Sequence, residues 1–82
     1  MQIRVKMLGD LRQYLPAGSA FNRCQLEVAE AVLGSVLRQL AVPADKPYLV
    51  SVNNTLVHQP DYATLVLQAD DEVTLVPPIK GG

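Results

Sequence analysis

The residues whose types and spacing bear most directly on chemistry lie at the end of the sequence, in "VPPIKGG". Gly81 and Gly82 have no side chain to pack and the most backbone freedom to lose on ordering, so folding gives no reason for them. Pro77 and Pro78 each fix φ and donate no backbone hydrogen, so a strand before them must stop and the chain leaves the fold as a stiff, extended arm. At its end Gly82 presents a carboxylate with nothing beside it, slim enough to thread a narrow channel in another protein and reach an active site. Ile79 and Lys80 lie between the prolines and the glycines. Lys80 is placed either to pair with an acidic group or phosphate at the mouth of such a channel or simply to be solvated.

The remaining reactive side chains are isolated from one another. Cys24, the only cysteine, falls in register with Leu26 and Val28, which suits a small buried hydrophobe better than a reactive thiol. His58 is the only histidine and has no second His or Cys at ligand spacing, so no metal site is expected and the residue reads as a solvated loop position. Asp70, Asp71 and Glu72 make an acidic turn that serves either a basic patch on a partner or only the polar turn before a strand. Arg12 and Tyr14 suggest no role. With no nucleophile beside a base, no paired carboxylates and no phosphate-cradling glycine loop, the chain by itself is not expected to be an enzyme.

Bulk composition limits what the arm can be attached to. The 82 residues suit one domain with one small core. Seven Lys and Arg against eight Asp and Glu leave a net charge of -1, with no basic run to follow a phosphate backbone, so nucleic acid is not an expected partner. A single cysteine allows no intrachain disulfide, and "MQIRVKM" has the apolar stretch of neither a signal peptide nor a membrane span. A cytoplasmic protein without membrane contact is the expectation.

The elements that must position the arm follow from periodicity. Met1, Ile3, Val5 and Met7 alternate with Gln2, Arg4 and Lys6, the period of a strand with one buried face. After a loop broken by Pro16, Gly18 and Ser19, alternation of Cys24, Leu26 and Val28 predicts a second strand hairpinned to the first. Leu33, Val36, Leu37 and Leu40 are spaced for one face of a helix, which lacks a capping side chain at its start, is weakened by Gly34 in its first turn, and is ended by the proline of "PADKP". Asn53 and Asn54 tolerate the positive φ of a tight hairpin between a third and a fourth strand. "PDYATLVLQADD" reads as a crossing segment, and "EVTLV" as a last strand with Val73 and Leu75 inward.

The order β-β-α-β-β-β lays one helix across one face of a small mixed sheet and leaves the other face open. That open face is expected to carry Arg4, Lys6, Leu8, Leu49, Ser51, Thr74 and Val76. Leu8, Leu49 and Val76 are apolar where water should be, which marks either a partner surface or the scattered apolar exposure of any protein.

The chain resembles the ubiquitin-like sulfur carriers of the MoaD/ThiS group, and within it most closely the small subunit of molybdopterin synthase. The resemblance is carried by "MQIRVKMLGDLRQYL", "VLGSVLRQL", "VSVNNTLV" and above all "DDEVTLVPPIKGG", which together span most of the chain. It departs from the group where Asp70 replaces a usual glycine, where Asn53-Asn54 replaces a frequent Asn-Gly, and where Val32 replaces a common capping Thr. The resemblance implies a ubiquitin-like β-grasp, an α+β fold over residues 1–76, with a flexible C-terminal Gly-Gly tail over 77–82.

It also implies a chemistry for Gly82. A carboxylate is a poor acyl donor because its leaving group would be oxide. Adenylation with ATP by a separate E1-like enzyme supplies a leaving group, and sulfide transfer to the carbonyl then makes a thiocarboxylate that donates sulfur. In the group, the tail of Pro77, Pro78, Ile79, Lys80 and Gly81 binds the synthase large subunit, and a cyclic pterin phosphate receives sulfur as the dithiolene of the molybdenum cofactor. The carrier itself needs no bound cofactor. Carriage for a tungsten cofactor, thiamine or another sulfur metabolite would look alike, as would a ubiquitin-like modifier joined through Gly82 to a lysine.

Overall fold

The alternation at the N-terminus becomes strand β1 (Gln2–Met7), whose Ile3, Val5 and Met7 are buried, in a computed structural model that describes residues 1–16, 19–43 and 45–78. Strand β2 (Arg23–Glu27) runs antiparallel to it with Ile3 opposite Leu26 and Val5 opposite Cys24, so the apolar members of both strands share a face. Cys24 lies on that face at the rim of the core and is half-buried rather than enclosed. Helix α1 (Leu33–Leu40) turns Leu33, Val36 and Leu40 into the same core.

Leu37 departs from expectation. It is only partly buried, because the buried stripe runs through Val36, Leu40 and Leu33 and the next step around the helix carries Leu37 to its margin. The helix also ends before Pro43. Ala41 takes a left-handed conformation (φ 56°) and its N–H donates to the carbonyls of Leu37 and Arg38. Ala29 to Ala31 extend neither β2 nor α1.

Strands β3 (Leu49–Val52) and β4 (Thr55–Val57) meet at Asn53 and Asn54, whose φ values of 51° and 70° make the two-residue turn that the Asn pair predicts. Strand β5 (Glu72–Val76) buries Val73 and Leu75. The sheet order is β2-β1-β5-β3-β4, with β1 and β5 parallel at its centre and every other pair antiparallel. This is a β-grasp, α+β in class, with α1 on one sheet face.

The missing helix cap is supplied from the main chain. Val32 makes no capping side-chain bond, but the Leu33 N–H donates to the Leu65 carbonyl at 2.9 Å and the Leu67 N–H to Ala31 at 2.7 Å. The crossing segment thus lies directly against the start of α1, with Leu67 buried in the core. Gly34 permits the approach, since a Cβ there would stand 3.0 Å from the Ala63 carbonyl oxygen.

Truncation of α1 separates its core from its margin. Leu33→Ala is expected to destabilise by ~2–5 kcal/mol through a cavity, and Leu37→Ala by distinctly less, in urea unfolding of both variants. Equal losses would mean that the helix is rotated from the phase described.

Candidate partner-docking site

The arm begins where β5 stops. Pro77 and Pro78 follow Val76 directly, and Ile79, Lys80, Gly81 and Gly82 lie outside the described residues. Because β5 is central, the root of the arm is flanked on both sides. On one side the Leu8 N–H donates to the Leu75 carbonyl at 3.1 Å, and Gly9, at φ +59°, lies so close to Pro77 that a Cβ on it would stand 2.7 Å from the proline Cγ. On the other, Pro78 lines a groove of about 500 Å³ together with Tyr48, Leu49, Leu56, His58 and Tyr62.

The face of the sheet away from α1 carries the residues in the phase expected. Lys6, Thr74 and Ser51 stand opposite one another across β1, β5 and β3, and Val76 stands opposite Leu49. Leu49 is exposed, whereas Leu8 and Val76 are half-buried. The hairpin adds a residue that the sequence reading missed. Leu56, opposite Ser51, is 55% exposed on this same face beside the arm. A two-residue turn at Asn53-Asn54 fixes that pairing, so the turn together with Ser51 could have revealed it.

Towards β2 the face becomes basic. Arg4, Lys6 and Arg23 project from it, and a recess of about 520 Å³ is lined by Arg4, Arg23, Gln25 and Glu72 with Ser19 and Cys24. Burial pushes the Cys24 thiol above its ordinary range, outweighing a bond to Ser19, so it is a weak nucleophile.

The acidic turn serves the fold. Asp71 accepts from the Gln68 N–H at 2.8 Å and from the Asn53 amide at 3.0 Å, while the Asn53 amide oxygen accepts from the Glu72 N–H at 2.9 Å. The two turns are thereby tied together. Asp70 adopts φ 68°, the left-handed region that favours glycine. Arg12 stacks its guanidinium 4.3 Å over the exposed ring of Phe21 and donates to the Gly9 carbonyl, and Tyr14 packs half-buried against the core. His58 is exposed. Among the described residues no cluster of His, Cys, Asp and Glu could hold a metal ion.

The sequence model of the ThiS family matches residues 5–82. The chain belongs to the ThiS family. No curated protein matches it by sequence. Its fold is shared by SAMP1 from Haloferax volcanii, at 22% identity and TM-score 0.69 over the whole of both chains. A second structure of small archaeal modifier protein 1 from H. volcanii matches at 21% identity and TM-score 0.67, covering 95% of this chain and 98% of that one. A complex of subunits 1 and 2 of the molybdopterin-converting factor from Helicobacter pylori 26695 contains a similar chain, at 15% identity and TM-score 0.66 over the whole of both. These likenesses concern the ubiquitin-like fold of the ThiS-family chain. No helix among its described residues is long and apolar enough to cross a membrane.

One ion pair braces the arm side of the ThiS-family domain. Asp10 and Lys46 pair, and their hydrogen bond holds the Asp10 carboxyl below its ordinary range and the Lys46 ammonium above its own. Stability from the depressed carboxyl is present above its unfolded pKa and is lost as pH falls through the folded value. Stability from the raised ammonium is present below its unfolded pKa and is lost as pH rises through the folded one. The difference in thermal midpoint between wild type and Asp10→Asn should therefore be small, steady between about pH 6 and 9, and vanish in acid. A difference that persisted at the acid end would assign it to packing.

Proposed function

We propose that this ThiS-family chain is a sulfur carrier whose C-terminal Gly82 is adenylated by an E1-like enzyme, converted to a thiocarboxylate, and used as the sulfur donor for the dithiolene of molybdopterin. The observation that carries the proposal is that the family match runs through residue 82, so the Gly-Gly end belongs to the family pattern and is not an appendage. The arm root supports it. A Pro-Pro pair directly after a central strand ends the hydrogen-bonding ladder there, beside a face that mixes exposed leucines with Arg and Lys.

Adenylation joins the Gly82 carboxylate to AMP with release of pyrophosphate, and sulfide attack at that carbonyl expels AMP and leaves a terminal thiocarboxylate. Its sulfur is the more nucleophilic atom of the pair. Tethering on a domain that docks supplies several kcal/mol towards reaction inside a partner's pocket. ATP is consumed by the activating enzyme, and the carrier holds no cofactor and catalyses nothing alone. Its partners in this reading are the E1-like enzyme in the cytoplasm and a molybdopterin synthase large subunit. Pro77, Pro78, Ile79, Lys80 and Gly81 enter the partner, and Leu8, Leu49, Leu56 and Val76 dock on its surface.

A second reading, a ubiquitin-like protein modifier, is favoured by the likeness to small archaeal modifier protein 1. The two diverge after adenylation. Intact mass of the chain from its own cells should show one oxygen replaced by sulfur; ladders of larger conjugates would support the modifier instead. Deleting Gly82 should abolish activation while leaving the thermal midpoint nearly unchanged, because the tail adds nothing to the core. Loss of fold with activity would refute the separation of tail from domain.

Docking is tested by Val76→Asp and Leu56→Asp. Each should weaken binding to the large subunit by more than ~2 kcal/mol in titration calorimetry, because a carboxylate would be desolvated without a partner. Unchanged affinity for both would move the docking surface elsewhere.

A further inference from the structure

We propose that Gly9 and the 3-10 turn it opens, Gly9–Tyr14, form a seat that aims the C-terminal arm, which makes Gly9 a positioning residue for the reaction at Gly82. The inference rests on reading residues 77–82 as a reactive arm. Its basis is a contact between main chain and ring. A Cβ at Gly9 would lie 2.7 Å from Pro77 Cγ, nearer than real Cβ atoms approach, and 3.4 Å from Cδ, and a change of ring pucker moves Cγ but leaves the proline main chain against the turn. Gly9 also holds φ +59°, the left-handed region that favours glycine. The Pro77 ring, and with it the seat or the arm root, must therefore shift if position 9 gains a side chain.

The seat is not free to move. Leu11 of the same turn is completely buried, and its N–H donates to the Leu8 carbonyl at 3.2 Å. Arg12 Nε returns to the Gly9 carbonyl at 3.1 Å. Asp10 pairs with Lys46, which lines the groove that Pro78 also lines. The turn is thus held to the core through Leu11, and Pro77 lies against it. A side chain at position 9 is accommodated chiefly by displacement of Pro77 at the arm root.

Whatever follows Pro78 starts from the arm root, so a displaced Pro77 displaces the start of the reactive segment. Misplacement of about 1 Å at a reacting centre can lower a rate on the order of a hundredfold.

The test uses the full chain with Gly9→Asn, Pro77→Ala and the double variant. Asparagine tolerates the positive φ, so the substitution chiefly adds the offending Cβ, and Pro77→Ala removes the ring it would strike. With the E1-like enzyme, Gly9→Asn should reduce kcat for adenylation of Gly82 by at least about tenfold with KM little changed, and the double variant should lose no more than Pro77→Ala alone, because the ring that the new side chain would strike is gone. A partner-independent measurement accompanies it. A nitroxide on His58→Cys, in a Cys24→Ser background, should broaden the Ile79 and Lys80 amide resonances to a degree that changes in Gly9→Asn and in Pro77→Ala, with the double variant matching Pro77→Ala.

Unchanged broadening overturns the seat, as does altered broadening with an undiminished rate. If wild-type Gly82 is not activated at all, the carrier reading fails, and the broadening alone decides whether position 9 aims the arm. Should Gly9→Asn not fold, Pro77→Ala by itself must alter the broadening by releasing the arm from the seat; no change overturns the proposal.

Discussion

The parallel pairing of β1 with β5 is the constraint on which the rest of the molecule depends. It places the first and last strands side by side in the middle of the sheet, so Pro77 and Pro78 leave β5 between two neighbours rather than at an edge. The backbone after β1 is thereby brought against the backbone after β5, which is why Gly9 meets Pro77. The same pairing puts Lys6 beside Thr74, and β3 on the other side of β5 continues the row to Ser51. The position of Pro77, its contact with Gly9 and the row of residues on the open face are consequences of one register.

Much of this was legible because periodicity reports burial. Alternation in β1 and β5 and the helical spacing of Leu33, Val36 and Leu40 each state which side chains leave water, and those are the residues at the core. The Asn53-Asn54 turn was legible because few residues accept two successive positive φ values. The terminal glycines stood out for the opposite reason, as residues that no packing requirement explains.

What was not legible is what arises between segments distant in sequence. Nothing local to Gly9 announces a proline that lies far along the chain. Leu37 satisfied the helical pattern and still fell at the margin, because a pattern gives the stripe but not its width. Asp71 is read as a charge in the sequence and acts as a pair of acceptors that close one turn upon another. The basic recess near Arg4 and Arg23 likewise exists only through strand pairing, since the overall charge of the chain is close to balanced.

The way α1 begins has a consequence for how the domain holds together and how it can vary. Because the Leu33 N–H donates to the Leu65 carbonyl and the Leu67 N–H to that of Ala31, the start of the helix and the crossing segment are joined through the main chain. A main-chain acceptor survives almost any change of side chain. The join therefore releases position 32 from the need for a hydroxyl or carboxylate, and Val32 records that freedom: an architectural instruction kept in the path of the chain, where substitution can drift past it without erasing it.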